Sequence, residues 1–208
     1  MRFGMKDVLI GVDLQYGFMP GGNLPVADGD AVVPVVNRIA RHFDNIVLTQ
    51  DWHPPGHWSF ASSHPGRKPF EVIRMAYGEQ VLWPDHCVQG TRDAELHDDL
   101  DIPGAQLVLR KGYHKAVDSY SAFHAADRVT PTGLASYLRE RGIERVVLAG
   151  LATDFCVAWT ALDARTAGFE TLVVEDACRA IDVQGSLSNA WSAMNPAGVR
   201  RITSADIG

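Results

Sequence analysis

Six short apolar runs constrain this chain more than any other feature: Val8–Val12, Ile46–Thr49, Gln106–Leu109, Arg145–Ala149, Thr171–Val174 and Val199–Ile202. Most are rich in Val, Ile and Leu and show little alternation with polar residues, as strands covered on both faces do. Helical patterns lie between most of them. Asp30–His42 places Val32, Val35, Val36, Ile39 and Ala40 on one stripe. Pro131–Arg141 follows Thr130 as N-cap, with proline at the first helical position and Gly142 as the stop. A third helix is predicted within Gly150–Gly168, capped by Thr153 or Asp154, with Val157, Ala161, Leu162 and Ala164 on one face. A weaker pattern surrounds Leu187–Met194. Strands alternating with helices predict an α/β chain: a parallel sheet with helices on both faces.

At 208 residues the chain is expected to form one domain, 1–208, with a core large enough to need no staples. A net charge of −6 argues against a nucleic-acid or anionic-membrane partner. The three cysteines, Cys87, Cys156 and Cys178, are too few and too odd for a disulfide framework and fit a reducing compartment. Val8–Val12 is too short for the apolar region of a signal peptide, and no stretch approaches a membrane span. A cytoplasmic protein is the expectation.

One connection is out of proportion. More than fifty residues separate Asp51 from Gln106, with several prolines and glycines and the histidines His53, His57, His64, His86 and His97. Long irregular segments inside a compact domain are usually lids or binding loops, so about 52–105 is read as a lid and metal-site segment. Ligands of parallel sheets bind where loops leave the strands' C-terminal ends. There the first strand delivers Asp13 and the second Asp51, Trp52 and His53. The third delivers Arg110 and Lys111, and the fourth leads into Leu151–Cys156.

Two constellations follow. In the first, Cys156 opens a helix, where the dipole and free N–H groups favour a thiolate. Asp13 could take its proton and Lys111 could hold both charges. A buried structural cysteine and an Asp13–Lys111 ion pair are the plainer alternatives. In the second, Asp51 and His53, two apart on extended chain, point the same way. His57 or His86 could complete a mixed N/O site suited to zinc, manganese or iron. Loop hydrogen bonding is the alternative for His57, and a semi-buried satisfied ring is the alternative for His86.

The chain resembles the nicotinamidase/pyrazinamidase branch of the isochorismatase-like cysteine hydrolases along nearly its whole length. The resemblance is carried by LIGVDLQYGFMPGGNLPV, TQDWHPPGHWSF, WPDHCVQGT, RKGYHKAVDSYSAF and GLATDFCVAWTALDA, in the family's order and approximate spacing. It implies a three-layer α/β/α sandwich with a central six-stranded parallel sheet. It implies Asp13 as general base, Lys111 as stabilising cation and Cys156 as nucleophile. The N–H groups of Ala152 and Cys156 would form an oxyanion hole beside a cis Leu151–Ala152 peptide. Asp51, His53 and His86 would bind a divalent metal, zinc being usual and iron or manganese alternatives. His57 is a further ligand in some members, over a longer segment than the one here. Phe18 and Trp83 would flank the substrate ring, Tyr120 would line the pocket, and Gln15 would sit near the metal's waters. The implied reaction converts nicotinamide to nicotinate and ammonia through a thioester, a step of NAD salvage, with pyrazinamide as a second substrate. Homo-oligomers are common among similar proteins.

Two other readings make different expectations. A superfamily hydrolase acting on a ureido or another amide would carry no transition metal and leave nicotinamide intact. A metal-bearing binding protein would keep Cys156 inert.

Overall fold

All six apolar runs form strands of one sheet in the computed structural model, which describes every residue from Met1 to Gly208. The strands are β1 (Asp7–Val12), β2 (Asn45–Asp51), β5 (Leu107–Lys111), β6 (Arg145–Leu151), β7 (Glu170–Arg179) and β8 (Arg200–Ile202). All neighbours pair in parallel, in the order β5-β2-β1-β6-β7-β8. A separate antiparallel hairpin, β3 (Val72–Met75) with β4 (Gly78–Val81), lies in the long connection. The helices are α1 (Val32–Ala40), α2 (Leu134–Glu140), α3 (Ala158–Thr166) and α4 (Ser186–Met194).

The absence of alternation in the strands has a direct cause. Leu9, Leu48 and Val147 face one core with α1, whereas Val8, Ile10, Val12, Val146 and Leu148 face the other with α2, α3 and α4. The result is the predicted three-layer α/β/α sandwich. Burying a Val or Leu side chain is worth about 1.5–3 kcal/mol, and both faces of the central strands are used. No helix is long and apolar enough to cross a membrane.

Three local expectations change. The helix expected from Pro131 begins at Leu134, because Pro131 is bridged to His124 and Gly133 takes a left-handed turn at the cap. Neither Thr153 nor Asp154 caps α3. The chain first makes a wide turn over Thr153–Val157, and Asp154 turns away to accept hydrogen bonds from Ile181 N (3.1 Å), Asp182 N (2.8 Å) and Ser186 Oγ (2.5 Å). β7 runs five residues beyond Val174, since a register shift opposite Leu148–Gly150 lets it resume pairing at Cys178.

The strand order places the switch point of the sheet between β1 and β6: the chain winds outward from β1 to β2 and β5, then crosses to β6, β7 and β8. Such a crevice is where open α/β sheets hold ligands. Gly150 allows the two strands to close there. It has φ +128°, and a Cβ at that position would lie 2.1 Å from Val12 O.

Candidate active site

β1 ends one residue before Asp13, which leaves the sheet with φ +47°. A left-handed aspartate is uncommon, and surrounding structure must hold it. Thr49 of β2 does so from both sides. Its hydroxyl oxygen accepts from Asp13 N (3.0 Å), and its hydroxyl donates to Asp13 Oδ1 (2.6 Å). Lys111 arrives by register. It is the parallel partner of Asp51 across β2 and β5, so the two side chains leave the sheet on one side.

The Lys111 ammonium is fully buried and central. It lies 2.5 Å from Asp51 Oδ1, 2.9 Å from Asp13 Oδ2, 2.9 Å from Ser119 O and 3.3 Å from Cys156 Sγ. Burial disfavours the ammonium, but Asp13 and Asp51 win and hold its pKa well above the ordinary lysine value. Asp13 Oδ2 accepts no well-directed hydrogen bond, so it is the oxygen open to a thiol proton. Donor atoms of Asp13, Asp51 and Cys156 all lie within 4.8 Å of one another.

The charge state of Cys156 differs from the sequence expectation. Burial pushes the thiol well above its ordinary range, and Asp13 and Asp51 add to this against the pull of Lys111. The resting sulfur therefore keeps its proton and needs a base. Burial also raises Asp13, against Lys111, which makes it the better acceptor. The Leu151–Ala152 peptide just before the nucleophile turn is cis, as the resemblance implied.

Asp51, His53 and His86 offer three buried donor atoms within 4.8 Å of one another. Burial would raise Asp51, but Lys111 and the two histidines hold it below the carboxylate range. Both rings are oriented. His53 Nε2–H donates to Asp118 Oδ1 (3.3 Å), and His86 Nδ1–H donates to Pro84 O (2.8 Å). That leaves His53 Nδ1 buried with no partner and His86 Nε2 facing Asp51 Oδ2 at 3.7 Å. An orphaned nitrogen beside a second imidazole and a carboxylate oxygen fits a divalent ion, and carboxylate-oriented histidines are usual around bound metals.

His57 and Gln15 stand beside the metal candidates in hydrogen bonds of their own. His57 stands beside His53, at 4.5 Å between ring centres, but both its nitrogens are committed. Nε2–H donates to His114 O (2.9 Å), and Nδ1 faces Ser59 Oγ (2.7 Å) and accepts from Ser59 N (3.1 Å). Burial lowers its pKa to about 4. His53, His57 and Asp118 nonetheless offer a second set of buried donor atoms within 4.8 Å of one another. Gln15 spends its whole amide on backbone: Nε2 donates to Asp51 O and Ala94 O, and Oε1 accepts from Asp51 N, each at 2.8 Å. It clamps Asp51 and is not among the walls of the cavity beside Cys156.

Beside these groups lies a cavity of about 310 Å³, whose walls include Phe18, Trp83, Tyr120, Phe155 and Ile181, with Asp51, His86 and Cys156 at its polar end. The three predicted aromatics thus line one cavity. Trp83 Nε1–H donates to Tyr120 Oη (2.9 Å), and Trp83 meets Phe155 edge to face at 4.8 Å. Sequence reasoning missed Asp118, Thr49, Phe155 and Ile181. Asp118 could have been flagged: it stands in the DSYSAF stretch with no cation adjacent in sequence. Cys87 and Cys178 are buried, and burial pushes Cys178 up to about 12, in line with packing roles.

Comparison with known proteins places this geometry. The family model for an isochorismatase domain matches residues 7–206. A nicotinamidase of Acinetobacter baylyi is 60% identical over 207 residues, covering 100% of this chain and 97% of the relative. A solved Acinetobacter baumannii nicotinamidase/pyrazinamidase superposes with a TM-score of 0.98 at 60% identity, covering 99% of each chain. A pyrazinamidase of Pyrococcus horikoshii, solved in complex with zinc, superposes with a TM-score of 0.77 at 36% identity, covering 95% of this chain and 99% of its own.

Proposed function

The chain belongs to the isochorismatase family, in its nicotinamidase/pyrazinamidase branch, and from that premise we propose that it hydrolyses nicotinamide to nicotinate and ammonia with Cys156 as nucleophile. Pyrazinamide, which shares the ring nitrogen and the carboxamide, is a second substrate. The observation that carries the assignment is the single ammonium of Lys111. It touches Asp13, Asp51 and Cys156 at once, beside an aromatic-walled cavity.

Asp51, His53 and His86 would hold a divalent metal, with zinc favoured by the mixed N/O donor set and by the zinc-bound relative. When bound, it supplies a Lewis-acid anchor for the ring nitrogen. Phe18, Trp83 and Tyr120 then hold the flat ring so that the carboxamide faces Cys156. Asp13 takes the thiol proton as sulfur bonds to the carboxamide carbon. The N–H groups of Ala152 and Cys156 receive the oxyanion, a contribution of about 3–4 kcal/mol in comparable sites. Asp13 returns the proton to nitrogen, the C–N bond breaks and ammonia leaves a Cys156 thioester. A water that gives its proton to Asp13 attacks the thioester, the C–S bond breaks, and sulfur regains the proton. Lys111 keeps its positive charge throughout, beside Asp51 and beside Asp13 as Asp13 cycles between carboxylate and acid. The nicotinate would enter NAD salvage in the cytoplasm.

Ammonia release from nicotinamide tests the reading. Wild-type protein should turn over and lose activity with a strong chelator, and Cys156→Ala should fall at least about 10⁴-fold while keeping its metal. Wild-type turnover by Cys156→Ala would end the assignment.

A further inference from the structure

The β3–β4 hairpin is more than a cover. Tyr77, in its turn, donates its hydroxyl to Gln80 Oε1 (2.9 Å). Gln80, only 1% exposed, points inward, and its amide nitrogen lies 2.9 Å from Asp118 Oδ2, 3.0 Å from Tyr120 Oη and 2.7 Å from Val81 O. The amide can face only one way. An ionised carboxylate only accepts, so Nε2 must meet Asp118 and Oε1 must meet the tyrosine.

The other oxygen of Asp118 receives His53 Nε2–H, and that bond leaves His53 Nδ1 unpaired. Tyr120 Oη meanwhile accepts from Trp83 Nε1, which sets the aromatic wall. One buried amide therefore joins the hairpin to a metal-ligating ring on one side and to the substrate's wall on the other.

We infer that Gln80 is a positioning residue through which the β3–β4 hairpin holds both the His53 ring and the Trp83–Tyr120 wall in working geometry. The inference rests on the reading of Asp51, His53 and His86 as metal ligands. Without the amide, Asp118 Oδ2 stays buried and loses its side-chain donor, and the carboxylate is held only through Oδ1, by Ser119 N (2.8 Å) and the His53 ring. Partners that orient metal ligands typically contribute 10–100-fold to affinity. Gln80 stands one bond further out, so about tenfold is expected. Coupling is reciprocal, so zinc must in turn order the hairpin.

The test compares wild type, Gln80→Leu and Tyr77→Phe by zinc affinity in chelator competition, KM for nicotinamide, and hydrogen exchange over Val72–Val81 with and without zinc. The melting temperature of each metal-free protein is the control for folding. Gln80→Leu should bind zinc about tenfold more weakly, raise KM more than it lowers kcat, and lose zinc-dependent protection of the hairpin. Tyr77→Phe should shift all three in the same direction by less, and it carries the test if Gln80→Leu does not fold. Wild-type zinc affinity and KM in a folded Gln80→Leu variant would overturn the inference. A wild-type protein that binds no zinc would overturn the ligand assignment beneath it.

Discussion

Asp13 sets the pH dependence. It must be ionised to take the thiol proton, and burial raises its pKa above the ordinary carboxylate value of 3.8. Activity is therefore present above that raised pKa and lost as pH falls through it. A kcat/KM profile for nicotinamide should show its acid limb above the ordinary carboxylate range, and a limb at or below pH 4 would contradict the role. Lys111→Ala removes the cation that favours the charged carboxylate. The limb should move further up, and the protein should lose about 3–5 kcal/mol of stability in urea titration, because two buried carboxylates lose their partner. At this scale the sequence was informative about identity and misleading about state. The helix start favours a thiolate at Cys156, but the fold buries it beside two carboxylates, and burial raises its pKa well above the ordinary thiol value.

Among the elements, the β1–β6 pair has the least room. Asp13 and Cys156 come from these two strands, and their separation is set where Val12 pairs with Gly150. Gly150→Ala would drive a Cβ to 2.1 Å from Val12 O, in a backbone conformation that alanine rarely adopts. The strands would have to part. A loss of more than about 4 kcal/mol is expected, as for a severe core clash with backbone strain, together with a fall in kcat from the misplaced nucleophile. Equilibrium unfolding and steady-state kinetics on one preparation check both, and a near-neutral variant would show that the strands tolerate the spread. The central strands were legible because two-sided burial removes polar residues from them, whereas the edge strands β5 and β8 are half exposed and were marked only by short apolar runs. The start of α2 was not, because Pro131 and Thr130 fit a helix start and an extended bridge equally well.

For the molecule as a whole, the metal corner ties β2 to the long connection through Asp51, His53 and His86. A ligand present at 100 times its dissociation constant adds about 2.7 kcal/mol. For a chain of this size that is about 5–10 °C in melting temperature. Chelation should lower the melting temperature by that much, and an unchanged value would show that no ion is held. The metal-free protein should also weaken as pH falls from about 6.5 to about 4. There the unfolded chain protonates His57 while the native protein, whose His57 pKa burial lowers to about 4, does not. The His53 pKa is raised by Asp51 and Asp118 against burial. Its native form is thus protonated across that window, and it opposes the His57 slope only at the top, where the unfolded ring is still taking up its proton. His57→Gln should flatten the acid side of the stability curve by up to roughly 3 kcal/mol, measured by urea unfolding at pH 7 and pH 4.5.

What the sequence determined by itself was the sheet, the strand ends, and which side chains with chemistry leave them: Asp13, Asp51, His53, Lys111 and Cys156. These follow from periodicity and chain order, which are local. The structure alone decided how those side chains share protons and partners. His57 was hydrogen-bonded to His114 O and Ser59. Gln15 was turned into a clamp on Asp51, and Asp118 and Gln80 were brought from distant segments to fix His53. Hydrogen bonds between residues tens of positions apart leave no period in the chain, and burial, which sets every charge state in the site, exists only once the layers have closed.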